Sequence, residues 1–150
     1  MDAQQVLKTM RHYQERLNQI PRGQERFNEV AEAYNQFMFA HLPERDFNFI
    51  MSHLDHNITN PEAAALVAAS YNKEDISEVI SLDPEVKLAL KFRIARNQKH
   101  LTQAEVARRS GSFTQGQVAK AEAVKTSLSI PQWDTLFKAI GSASTLALGI

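Results

Sequence analysis

Cysteine is absent from all 150 residues, which excludes disulfides, thiolate metal ligands and cysteine nucleophiles and fits a reducing compartment. Also missing is any apolar run near the roughly 18 residues of a membrane span. The opening Met1-Asp2-Ala3-Gln4-Gln5 carries no basic signal-peptide head, so a soluble, cytoplasmic protein with no membrane partner is the expectation. Internal repeats, low-complexity tracts and flexible linkers are lacking. So are paired catalytic carboxylates, a nucleophile elbow and a glycine-rich phosphate loop, and neither an enzyme nor a cofactor is expected.

Net charge is missing as well, but only in the sum. Residues 1–85 carry 7 Lys and Arg against 14 Asp and Glu, whereas residues 86–150 carry 10 against 3. A small basic domain attracts a phosphate backbone through counterion release, and an acidic one is repelled by it. The second half is therefore the candidate for holding nucleic acid.

The hydrophobic pattern is helical along most of the chain. Val6, Met10, Tyr13, Leu17 and Ile20 recur at three and four behind an Asp2 cap, predicting a helix over about 3–20 that Pro21-Arg22-Gly23 ends. Phe27, Val30, Ala31, Tyr34, Phe37 and Met38 repeat the pattern up to Pro43, and the short connection predicts an antiparallel hairpin. Phe47, Ile50, Met51 and Leu54 suggest a third helix. Asn60-Pro61 reads as a cap followed by proline at the first helical position, opening an alanine-rich helix to about Tyr71, with a short one near Lys73–Ser81. Asp83-Pro84-Glu85 repeats that start signal, with Leu88, Phe92 and Ala95 on one face. By spacing, Tyr13, Phe27, Tyr34, Phe37, Met38, Phe47, Phe49 and Met51 are mostly core, and some could equally serve an interface.

The most informative segment begins at Leu101. Thr102 and Glu105 form a Thr-x-x-Glu capping box, so a helix starts at Gln103. Ala107 is small enough for a close helix crossing, and Gly111 supplies the positive φ that ends the helix. Thr114 caps a second helix whose inward residues are Val118 and Ala121. Two short helices joined by a glycine turn form a helix-turn-helix unit. Ile130, Trp133, Leu136, Phe137 and Ile140 then make the apolar face of a further helix closed by Gly141.

These residues resemble the XRE family of helix-turn-helix regulators, the fold of lambdoid repressors and Cro proteins, over about residues 84–141. The expected fold is all-α, with an acidic helical dimerisation or partner-binding domain at 1–83 and a five-helix lambda-repressor-like DNA-binding domain at 84–150. By resemblance, Gln115, Gly116, Gln117 and Lys120 form the base-reading face. Glutamine can pair with the N6/N7 edge of adenine, and lysine with the O6/N7 acceptors of guanine. The resemblance assigns backbone phosphates to Gln103, Thr114, Lys125, Thr126, Ser127 and Arg93, and a buried structural ion pair to Arg96 and Glu122. Two features depart from the family: the turn between Gly111 and Thr114 is one residue longer, and Gly116 stands where a side chain commonly contacts a base.

What the resemblance implies is a dimeric transcriptional repressor of a short inverted-repeat operator in double-stranded DNA, acting on its own promoter. A helix-turn-helix behind a separate acidic domain is also similar to antitoxins of type II toxin–antitoxin pairs, with a basic toxin as the partner of the acidic half. The alternatives are a phage or mobile-element regulator and an interaction protein whose helix-turn-helix no longer binds DNA. His53 and His56 flank Asp55 and, with His41 nearby, invite a metal reading, but no further partner is evident and no metal is expected. Arg93 and His100 have a spacing seen in some helical ribonucleases, although both belong to the helix already explained by the DNA domain. Residues 145–150 alternate apolar and small residues and read either as a short strand or as a final short helix.

Overall fold

The computed structural model describes residues 1–141. The chain divides into two compact units, Met1–Ser81 and a second that begins at Leu82. Every regular element among the described residues is helical, so the fold is all-α there, and none of these helices is long and apolar enough to cross a membrane. The expected fifth helix of the second domain and the strand-or-helix reading of residues 145–150 lie outside the described residues.

In the first unit, α1 (Ala3–Gln19) starts at a reciprocal Asp2/Gln5 capping box and buries Val6 and Met10. It is followed by α2 (Glu25–Phe39), α3 (Glu44–Ser52) and α4 (Asn60–Tyr71). Tyr13 of α1 stacks on Tyr34 of α2 with ring centroids 5.3 Å apart, which ties the two helices together. The hairpin is not the main packing of α1, however; its most extensive contact is with α4. Ala63, Ala64, Ala68 and Ala69 of α4 are buried together with Leu66 and Val67, and their small side chains allow α1 to approach closely. A helix apolar around most of its circumference belongs in the middle of a core.

Three local expectations change. The cap of α4 is Thr59, not Asn60: Thr59 Oγ1 accepts from the Glu62 amide, and the Glu62 carboxylate accepts from the Thr59 amide at 3.0 Å. Asn60 instead exchanges amide hydrogen bonds with Gln14 of α1, each at 3.2 Å. Met51 is 37% exposed rather than core, because the buried arc of α3 runs from Phe49 through Ile50 to Phe47 and Met51 lies past its edge. The short helix expected near residues 73–81 is a single 3-10 turn, Ile76–Glu78, started by Asp75, whose side chain accepts from the Ser77 amide and hydroxyl.

The second unit holds α5 (Pro84–Gln98), α6 (Gln103–Ser110), α7 (Gln115–Glu122) and α8 (Ile130–Ala139). Asp83 stands at the N-cap of α5 without a side-chain capping bond, and Pro84 supplies the pre-set φ of the first helical position. Trp133 and Phe137 of α8 close on Phe92 of α5 at centroid distances of 6.0 and 5.6 Å. Around these rings Leu88, Leu90, Val106, Val118, Leu136 and Ile140 are buried. Each such side chain contributes about 1.5–3 kcal/mol of burial, which fixes α6 and α7 on a rigid base.

Candidate nucleic-acid interface

The unit is assembled from caps outward. Thr102 Oγ1 accepts from the Glu105 amide at 3.0 Å, and Glu105 Oε1 accepts from the Thr102 hydroxyl at 3.1 Å. The helix α6 ends at Gly111, whose φ of 72° lies in the left-handed region. The longer turn that follows is hydrogen-bonded rather than slack. Ser110 Oγ donates to the Ala107 carbonyl at 2.7 Å and accepts from the amides of Ser112 and Phe113 at 3.3 and 3.1 Å. The turn is thus held by one serine, with Phe113 half-buried beside it.

The start of α7 is a second reciprocal box. Thr114 Oγ1 accepts from the Gln117 amide at 3.2 Å, and Gln117 Oε1 accepts from the Thr114 amide at 2.9 Å. Val118 and Ala121 face inward, while Gln115, Gly116, Gln117 and Lys120 are exposed. The two glutamines are not equivalent. Gln117 Oε1 accepts from the Thr114 amide, which turns its side chain back to the cap, whereas Gln115 has no side-chain hydrogen bond among the described residues. A bidentate pair to adenine needs an acceptor and a donor from one amide, and Gln115 can supply both without giving up a cap bond.

Arg96 and Glu122 lock α7 to α5. Arg96 Nη2 donates to Glu122 Oε1 at 2.7 Å and Nε to Oε2 at 2.9 Å, with Glu122 1% and Arg96 13% exposed at the side chain. Arg96 Nη1 also donates to the Leu101 carbonyl at 2.7 Å, so one guanidinium braces α5, the corner after it and α7. His100 occupies that corner with φ 55°. Beyond α7, Val124 has φ 56°, with its amide bonded to the Ala121 carbonyl and the Lys125 amide to the Lys120 carbonyl at 2.9 Å. This is the closure in which glycine is usual, and a branched side chain in the left-handed region costs about 1–2 kcal/mol. It turns the chain into an exposed loop of Lys125, Thr126 and Ser127, where Ser127 Oγ donates to Glu85 Oε2 at 3.3 Å.

Of the other expected phosphate contacts, Thr114 is exposed at the head of α7 and Gln103 half-buried at the first position of α6. Arg93 fits that role least: it is half-buried on α5 with its Nε shielded from solvent. Sequence reasoning missed three supports. Gln117 completes a Thr-x-x-Gln box whose spacing was readable; Ser110 holds the turn; and Lys99 Nζ donates to the Ile140 carbonyl at 2.6 Å, closing α8. It also passed over Arg108 and Arg109, exposed in the last turn of α6.

The histidines of the first unit do not converge. His56 reaches Asp55 through Nδ1 at 2.6 Å and Glu62 through Nε2 at 2.9 Å, on opposite edges of the ring. His53 Nδ1 lies 2.8 Å from the Phe49 carbonyl, and His41 packs edge-on to Tyr71. Among the described residues no group of His, Asp or Glu is arranged to hold a metal ion. Comparison with protein-family models, with curated proteins and with solved structures returned no match.

Proposed function

We propose that the chain is a sequence-specific DNA-binding transcriptional regulator that reads duplex DNA with α7. One observation carries this reading: an exposed face of Gln115, Gly116 and Lys120 stands on a helix fixed at both ends, by the Thr114/Gln117 box and by the buried Arg96–Glu122 pair. Binding sites gain precision when exposed polar groups are mounted on rigid elements. The basic charge of residues 86–150 supports a polyanionic partner. Gln115 and Lys120 read bases, with Gln117 donating from its free amide, and Gln103, Thr114, Lys125, Thr126 and Ser127 hold phosphates. A homodimer on an inverted repeat follows from the short reach of one such helix. The acidic charge of residues 1–85 supports a basic protein partner for that half, as in an antitoxin that represses its own operon.

The test is a salt titration of fluorescence anisotropy with a labelled duplex from the region upstream of the gene, against random duplex. The upstream duplex is expected to bind tighter, and Gln115→Ala to erase about 1–3 kcal/mol of that discrimination. Equal binding of both duplexes, unaffected by Gln115→Ala, defeats the reading.

A further inference from the structure

The first turn of α5 and the loop after α7 are 42 residues apart in sequence, and one side-chain hydrogen bond joins them, from Ser127 Oγ to Glu85 Oε2 at 3.3 Å. We propose that Glu85 limits the affinity for nucleic-acid backbone, holding the Ser127 hydroxyl in the free protein and repelling the phosphate that would replace it. This rests on the DNA-binding reading and adds to it a residue that acts against binding.

A serine hydroxyl has one hydrogen, so Ser127 cannot donate to Glu85 and to a phosphate at once. An incoming phosphate oxygen would lie about 2.7 Å from Ser127 Oγ. Added to the 3.3 Å on the other side, this puts it within about 6 Å of the Glu85 carboxylate oxygen. Two like charges at about 6 Å repel in bulk water by an amount worth about threefold in affinity, and by more where the interface expels water. Lys125, two residues before Ser127, supplies the attraction that this repulsion offsets. Asp83, exposed at the start of α5, adds a second negative charge to the same helix end.

The experiment measures anisotropy of the full-length protein on a labelled random duplex of about 20 base pairs at low and at physiological salt. Glu85→Gln keeps an acceptor for Ser127 and removes the charge. It is expected to bind about threefold tighter or more at low salt, with a gain that shrinks as salt screens the repulsion. The gain is expected to fall when Ser127→Ala is already present, because the phosphate is then no longer held beside position 85. Fluorescence of Trp133 reports whether each variant is folded. If wild-type protein binds duplex but Glu85→Gln binds no tighter, the proposal is overturned, and Glu85 serves only as an acidic residue in the first turn of α5. A gain undiminished by Ser127→Ala also overturns it. If wild-type protein binds no duplex even at low salt, the DNA-binding reading itself fails.

Discussion

In the first unit the polar side chains that reach between elements are used up on one another, whereas on α7 they face outward. Gln14 donates to the Tyr34 hydroxyl at 3.0 Å and exchanges bonds with Asn60, and the Tyr71 hydroxyl donates to the Phe37 carbonyl at 2.8 Å. Those bonds fasten α1, α2 and α4 to one another. In the second unit the bonds that fasten helices are concentrated in Arg96, Lys99 and the caps, and Gln115 and Lys120 are left with donors and acceptors directed at solvent. Satisfied networks give a unique fold, and unspent polar groups on a rigid base give recognition. The contrast supports the proposal that the second unit is the binding half, and the charge division agrees with it.

The largest way to break that contrast is to remove the brace. Glu122→Ala leaves the Arg96 guanidinium mostly buried without its carboxylate, which is expected to destabilise the second unit by about 3–5 kcal/mol. The only tryptophan, Trp133, lies in that unit and the three tyrosines, Tyr13, Tyr34 and Tyr71, in the first, so urea unfolding can be followed separately in each. A large shift is expected in the tryptophan transition and a much smaller one in the tyrosine transition. A cost below about 1 kcal/mol would mean that the pair is not what holds α7.

Two substitutions of about 1 kcal/mol sharpen the comparison, since each should strengthen the fold at a position where the second unit is weaker than it need be. Val124→Gly relieves a branched residue at φ 56° and is expected to stabilise by about 1 kcal/mol in the same urea assay. Gly116→Ala places a methyl group in open space, its nearest contact being Thr114 Oγ1 at 3.9 Å, and helix propensity predicts a gain of about 1 kcal/mol. If the glycine is there to admit DNA close to the helix, the more stable Gly116→Ala protein binds duplex more weakly. Gain in stability with unchanged binding would remove Gly116 from the interface.

How much of this was legible depended on whether a residue's partner was local. Capping boxes are written within four residues, so Thr102/Glu105 and the Gly111 stop could be read directly. Gln117 reads from the sequence as part of the base-reading face although Thr-x-x-Gln marks it as the cap's second half, and in the structure its Oε1 accepts from the Thr114 amide. Asn60 was mistaken for the cap of α4 because an Asn-Pro pair looks like a start; the competing Thr59/Glu62 box, shifted by one residue, wins by satisfying two amides instead of one. The partners of α1, Ser110's hold on the long turn and the Ser127–Glu85 bond depend on packing geometry that periodicity does not encode. Val124 was hidden for a different reason: the left-handed position is signalled by glycine, and here the hydrogen-bonded closure of α7 overrides the side chain's preference.

The smallest expected effect sets the first unit apart by its response to pH. His56 is held by hydrogen bonds to Asp55 and Glu62, which raise its pKa above the usual histidine value, while the same contacts hold Asp55 below the carboxylate range. Glu62 is also lowered, first by the Thr59 amide and then by His56. Neutral imidazole has one N–H and can donate to only one of the two carboxylates, so deprotonation must give up a bond in the loop before α4. The histidine's contribution is therefore fully present below its unfolded pKa and is lost as pH rises through its folded one. The carboxylates contribute above their unfolded values and lose that as pH falls through their folded ones. Because Asp55 and His56 are exposed to solvent and Glu62 is only half-buried, the effect is small. Raising pH from about 5.5 to about 8.5 is expected to lower the urea midpoint followed by tyrosine, and His56→Gln to flatten that dependence. A slope unchanged in His56→Gln would show that the loop does not depend on this histidine.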